Sequence, residues 1–184
     1  MRLGEWFLAV FYALIFTISP RKADAGLLYF FEVLTPSHLR YTYEIMMARD
    51  IGVNFTSLIN RVELVYADPP HACSEVQTRA RNKILLVERG ECSFLSKAVQ
   101  AEAAGALASI VTHSAAPQDD QLVEMVQDET GRRAHIPVVY MPGNHGKMFR
   151  KHFTYNSEPV FIKIPLNLTN VPLDAVRKPP WDLW

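Results

Sequence analysis

An unbroken apolar run of strand length, residues 84–87, and a second, mostly apolar strand at 106–111 flank a stretch whose apolar residues recur at helical spacing. The first run ends at Glu88, Arg89 and Gly90, the pattern of a strand covered on both faces and followed by a turn. Gly90 suits that turn because a residue without Cβ reaches positive φ at little cost. Ser93 is placed to cap a helix, since its hydroxyl can accept from a free amide of the first turn. Phe94 and Leu95, followed four residues later by Ala98 and Val99, form one apolar stripe. Gly105 stands where a helix ends. Strand, helix and strand in this order predict a parallel, right-handed crossover unit.

Around this unit the pattern predicts further strands. Residues 27–34 are apolar and aromatic. Leu39, Tyr41, Tyr43 and Ile45 alternate with Arg40, Thr42 and Glu44, the period of a strand with one buried face. Residues 46–57 read as loop, 61–66 as strand, and Asp68-Pro69-Pro70 as a stiff turn. Beyond the crossover, 112–121 is polar loop, and 122–127 fits either a short strand or a helical turn. Residues 128–133 are charged loop. A strand at 136–141 starts on Pro137, a position where proline is tolerated. The segment 142–146 reads as a Gly-rich turn leading into a short helix, 147–153, and 160–166 as a last strand.

The central unit carries a resemblance. Arg89-Gly90-Glu91-Cys92-Ser93-Phe94 with Lys97, set between an apolar strand and Gly105-Ala106, resembles the core of the protease-associated (PA) domain. A looser likeness covers residues 61–166. The resemblance implies an α/β fold: a single PA-type domain with a mixed, barrel-like sheet flanked by short helices. It also implies a module without catalysis of its own, one that sits beside a catalytic or anchoring part and engages proteins. The expected organisation is a signal peptide at 1–25, N-terminal strands at 26–59 packing on the core, the PA domain at 60–166, and a Pro/Trp-rich tail at 167–184.

The leader reading rests on Arg2 followed by the uncharged run 6–18, too short for a membrane span of about 20 apolar residues. Ala23-Asp24-Ala25 then supplies the small residues of a cleavage site, with cleavage after Ala25, or after Ala23 as the alternative. An uncleaved anchor is the competing reading. The expected location is extracellular, by way of the endoplasmic reticulum. At 49% hydrophobic residues the chain can bury a core. With 19 basic and 19 acidic residues and no long run of one sign, it lacks the electrostatic footprint of a nucleic-acid or membrane-surface binder.

The chain holds two cysteines, Cys73 and Cys92. In an oxidising compartment two cysteines of a small domain most often pair. A reactive thiol or a metal ligand would need a nearby base or further soft ligands, and no Cys-x-x-Cys is present. Asn54-Phe55-Thr56 and Asn167-Leu168-Thr169 are glycosylation sequons. Asn167 is favoured because a small secreted member of the resembling family carries a sequon at the corresponding point. In the tail, Trp181 and Trp184 are candidate partner contacts, aromatic anchors being common at interfaces. The other reading folds these rings back onto the domain's own surface.

Candidate chemistry is sparse. Neither Gly-x-Ser-x-Gly nor His-Glu-x-x-His occurs, and the six histidines show no ligand spacing. Asp119-Asp120 and the pair Glu124 and Asp128 read as a solvated face. A cryptic hydrolase built on Ser93 or Ser114 with a loop histidine is one alternative, and a lumenal cargo or folding factor another. The reading taken forward is a secreted, N-glycosylated, non-catalytic module for an unidentified protein partner, with no cofactor and no metal.

Overall fold

In the computed structural model, residues 28–115, 120–168, 171–172 and 175–182 are described. Seven strands close into a barrel: β1 (Leu28–Thr35), β2 (Thr42–Met47), β3 (Ile59–Tyr66), β4 (Ile84–Glu88), β5 (Ala108–Thr112), β6 (Val138–Met141) and β7 (Val160–Leu166). Their order around the barrel is β1-β2-β6-β5-β4-β3-β7. Strands β3, β4, β5 and β6 run parallel to one another, and the remaining pairings are antiparallel. Strand β7 closes the circle by pairing with both β1 and β3.

Helix α1 (Phe94–Ala103) is the predicted crossover between β4 and β5, capped by the Ser93 hydroxyl, which accepts from the Ser96 amide at 3.1 Å. Helix α2 (Gly143–Tyr155) follows β6 directly. Inward-pointing residues of the staves fill the barrel: Phe31 and Val33, Tyr43 and Ile45, Val62 and Leu64, Ile84 and Leu86, Ile110, Val139, and Ile162 and Ile164. Phe149 of α2 joins this core, its ring 5.0 Å from that of Tyr43. The outward residues of β4 and β5 are buried as well, because α1 lies over them. Leu95 and Ala98 pack with Val111, Val138 and Tyr140, while Ala101 packs with Leu85 and Val87. Burying each large apolar side chain contributes roughly 2 kcal/mol.

Several local expectations are revised. The strand expected from Leu39 starts only at Thr42, because residues Ser37–Leu39 wind into a single 3-10 turn that buries Leu39. Strand β2 then runs to Met47, so the loop begins at residue 48. Segment 122–127 is neither strand nor helical turn: it is irregular chain anchored by the buried Met125. The helix expected at 147–153 begins four residues earlier, at Gly143, so the Gly-rich segment is its first turn. Gly146 there is required by packing, since a Cβ would collide with Thr112 of β5. The strands of 26–59 are two of the seven staves.

Ser109 of β5 faces α1 on the same side as Val111, fully buried, and its hydroxyl has no hydrogen-bond partner among the described residues. A buried hydroxyl left unpaired costs its desolvation. Ser109→Ala should therefore leave the melting temperature unchanged or raise it. Thermal unfolding checks this, and a loss of more than about 1 kcal/mol would show that the hydroxyl is bonded.

Candidate functional site

The carboxyl ends of β4, β5 and β6 and the amino end of α1 meet at one rim of the barrel. In open parallel sheets this is the edge where ligands bind. The turn after β4 rises from it, with Gly90 at φ 106°. Residues Arg89, Gly90, Glu91, Cys92, Ser93 and Phe94 line an open groove there of about 460 Å³. Cys73 and Cys92 are bonded, with Cα atoms 5.7 Å apart, which ties the loop after β3 to this turn.

Lys97 lies beneath the bridge. It is one helical turn inside α1 and fully buried. Its Nζ donates to the carbonyls of His71 at 2.7 Å and Gly90 at 2.6 Å, and stands 3.6 Å from each sulfur. An ammonium has three donors and no acceptor, so two carbonyls and the sulfurs together satisfy it. Burial pushes the amine down to about 8, against the opposing pull of the Glu91 and Glu88 carboxylates. His71 Nε2 in turn lies 3.4 Å from Glu91.

Glu88, at the end of β4, is almost completely buried. Its carboxylate accepts from the Tyr66 hydroxyl at 2.7 Å, from the Ser114 amide at 3.1 Å and from the Ser114 hydroxyl. Burial, aided by the carboxylate, pushes the Tyr66 phenol well above its ordinary range, so it stays a neutral donor. Across the rim, the Asp128 carboxylate accepts from the Ser93 hydroxyl, from Thr130 at 2.6 Å and from Arg132 at 2.7 Å. Those hydrogen bonds, that of Ser93 foremost, hold it well below the usual carboxylate range. The contact fastens the loop 120–133 to the start of α1.

These arrangements decide the candidate nucleophiles. Ser93 serves as helix cap and donor to Asp128, and Ser114 donates to Glu88. Neither hydroxyl bonds a histidine among the described residues. No group of three or more His, Cys, Asp or Glu side chains is arranged to hold a metal among them either.

The tail takes a different place. Residues Pro180–Asp182 form a 3-10 turn that lays Trp181, half-buried, against β2 and α2. The indole Nε1 donates to His145 Nδ1 at 3.0 Å, and the ring meets Tyr41 edge-on at 5.6 Å. Asp182 lies 3.6 Å from His145 Nε2. Trp184 lies outside the described residues. Asn54 and Asn167 are both exposed, in the loop after β2 and at the end of β7. The fold-back of Trp181 was one of the two readings of the tail, but no residue spacing pointed to its contact with His145 or to the burial of Lys97 and Glu88.

A family model described as the PA domain matches residues 61–149. A PRADC1-like protein of Drosophila melanogaster is 39% identical over 160 residues, covering 84% of this chain and 82% of that protein. The chain belongs to the PA domain family. Signal peptide peptidase-like 2 of Arabidopsis thaliana is 34% identical over 101 residues, 54% of this chain and 18% of that one. Among solved structures, an aminopeptidase from Aneurinibacillus sp. strain AM-1 superposes with a TM-score of 0.54 at 19% identity, over 74% of this chain and 30% of its own, a likeness of fold. The matched PA segment begins in β3 and ends in α2, so β1, β2 and β7 complete the barrel from outside it.

His145 gives the tail contact a pH dependence. It is buried, and burial lowers it from 6.5 to about 4. The folded state thus binds the proton less readily than the unfolded chain. Stability from this source is complete above pH 6.5 and is lost as pH falls towards 4. The full loss is about 3 kcal/mol. The melting temperature should fall between pH 7 and 4.5, and less steeply in His145→Gln. Parallel slopes for the two proteins would refute the assignment.

Proposed function

We propose that this PA domain is a secreted, N-glycosylated protein-binding module without catalysis of its own, and that the turn 89–94 makes its principal contact. The observation that carries the reading is the way this turn is held. The disulfide and the Lys97 ammonium fasten it from below, while Gly90 and Glu91 stand exposed. The Arg89 guanidinium has no ion-pair partner among the described residues. A preorganised turn with uncommitted charge loses little entropy on docking.

Support for a non-catalytic role comes from the committed state of the polar groups. The acceptors of Glu88 and Asp128 are engaged by neighbouring side chains, and both candidate serines serve structural contacts. The barrel interior is filled with side chains. The match to a signal peptide peptidase-like protein, far longer than the matched region, favours peptidases as the class of partner, with receptors the other candidate class. Among the described residues no helix is long and apolar enough to cross a membrane. The exposure of Asn54 and Asn167 suits glycan attachment.

A photo-crosslinking residue at Glu91, with one at Asn60 on the opposite rim as control, tests this in conditioned medium. The expected result is one recurrent protein captured from position 91, absent from position 60 and lost with Arg89→Ala. Equal background at both positions, together with hydrolysis of ester or peptide substrates by the purified chain, would overturn the reading.

A further inference from the structure

We propose that the Cys73–Cys92 bridge is a thiol-exchange site: a disulfide that a dithiol reductant opens in the folded protein, with Lys97 stabilising the thiolate that leaves. Three observations carry this. Both cysteines are only half-buried, and Cys92 lines the open groove at the rim. The Lys97 Nζ stands 3.6 Å from each sulfur. The same Nζ binds the carbonyls of His71 and Gly90, each two residues before one of the cysteines.

The exchange is a pair of displacements. A thiolate of the reductant attacks one sulfur; the S–S bond breaks and its electron pair leaves with the other sulfur, giving a mixed disulfide and one protein thiolate. The reductant's second thiolate then attacks its own sulfur in the mixed bond. The second protein sulfur is released and the reductant departs as a disulfide. The protein gains two electrons, the reductant loses two, and each released thiolate takes a proton from water according to its pKa. The rate depends on how readily the leaving sulfur carries charge. A neighbouring ammonium lowers a thiol's pKa and so favours departure. Because Nζ is equidistant from the sulfurs, either can leave with the same help.

The charged groups around the site are Lys97 and Arg89 on one side and Glu88, Glu91 and the His71–Glu91 pair on the other. The two carboxylates favour the protonated amine, which burial alone would weaken. After reduction, Nζ still bonds the His71 and Gly90 carbonyls, so the sulfurs remain neighbours and re-form the bridge when an oxidant disulfide arrives. Accessible disulfides are the labile ones; this one is half-buried beside an open groove and has an ammonium 3.6 Å from each sulfur.

The test uses the purified, oxidised full chain and dithiothreitol at pH 7, with released thiols counted by alkylation and mass. Reduction should proceed at a rate that does not change across low urea concentrations. In the reduced protein, alkylation by iodoacetamide should titrate below the ordinary thiol value of about 8.5. Lys97→Met should slow reduction about tenfold at pH 7 and return the titration to the ordinary range. If that variant fails to fold, the two wild-type measurements decide alone. A reduction rate that climbs with urea in step with global unfolding, or thiols titrating at or above the ordinary value, would overturn the proposal.

Discussion

Closure of the sheet is the constraint from which the rest follows. Strands β3 to β6 run parallel, and a parallel sheet left open has two edges ready to pair with other chains. Here β7 pairs with β3 on one side and β1 on the other, and β2 joins β1 to β6. No edge among the seven staves is left free. The price is an interior filled by their inward side chains. Phe31, Tyr43 and Phe149 meet there with ring centres 5.0 to 5.9 Å apart.

At the rim formed by the carboxyl ends of the parallel strands, the polar groups are mostly committed to one another. Glu88 gathers Tyr66 and Ser114; Asp128 gathers Ser93, Thr130 and Arg132. Such networks position loops. The turn 89–94 differs, since it is held from beneath and open above. Lys97 and the disulfide act on the same two chain segments, one by charge and one by covalent bond. The tail adds a separate fastening, with Trp181 closing over His145 on the flank formed by β2 and α2.

Much of this was legible in the residues. Two apolar-rich runs, a capped stripe and Gly105 are enough to read β4, α1 and β5, because a parallel crossover leaves both faces of its strands buried. The cysteine pair was legible because two cysteines of a small domain most often pair and no Cys-x-x-Cys is present. The start of α2 was not: glycines at 143 and 146 look like a turn until Thr112, distant in sequence, is seen to need the space at Gly146. Segment 122–127 was illegible because Met125, with Leu122 and Val123 half-buried beside it, packs without regular backbone. Lys97 was visible as part of a motif, but a lysine's burial depends on which carbonyls converge on it. Its partners His71 and Gly90 come from separate loops, as Trp181 and His145 lie 36 residues apart in the chain.

The claim at the centre of this account is that Lys97 fastens the rim turn independently of the barrel. Native-state hydrogen exchange on the oxidised protein and on Lys97→Met measures it directly. The account predicts faster exchange in the variant at the amides of Arg89 and Cys92, which bond to Thr112 and Gly90, with β1, β2 and β7 unchanged. Unchanged protection at the turn, or an even loss across every strand, would contradict it.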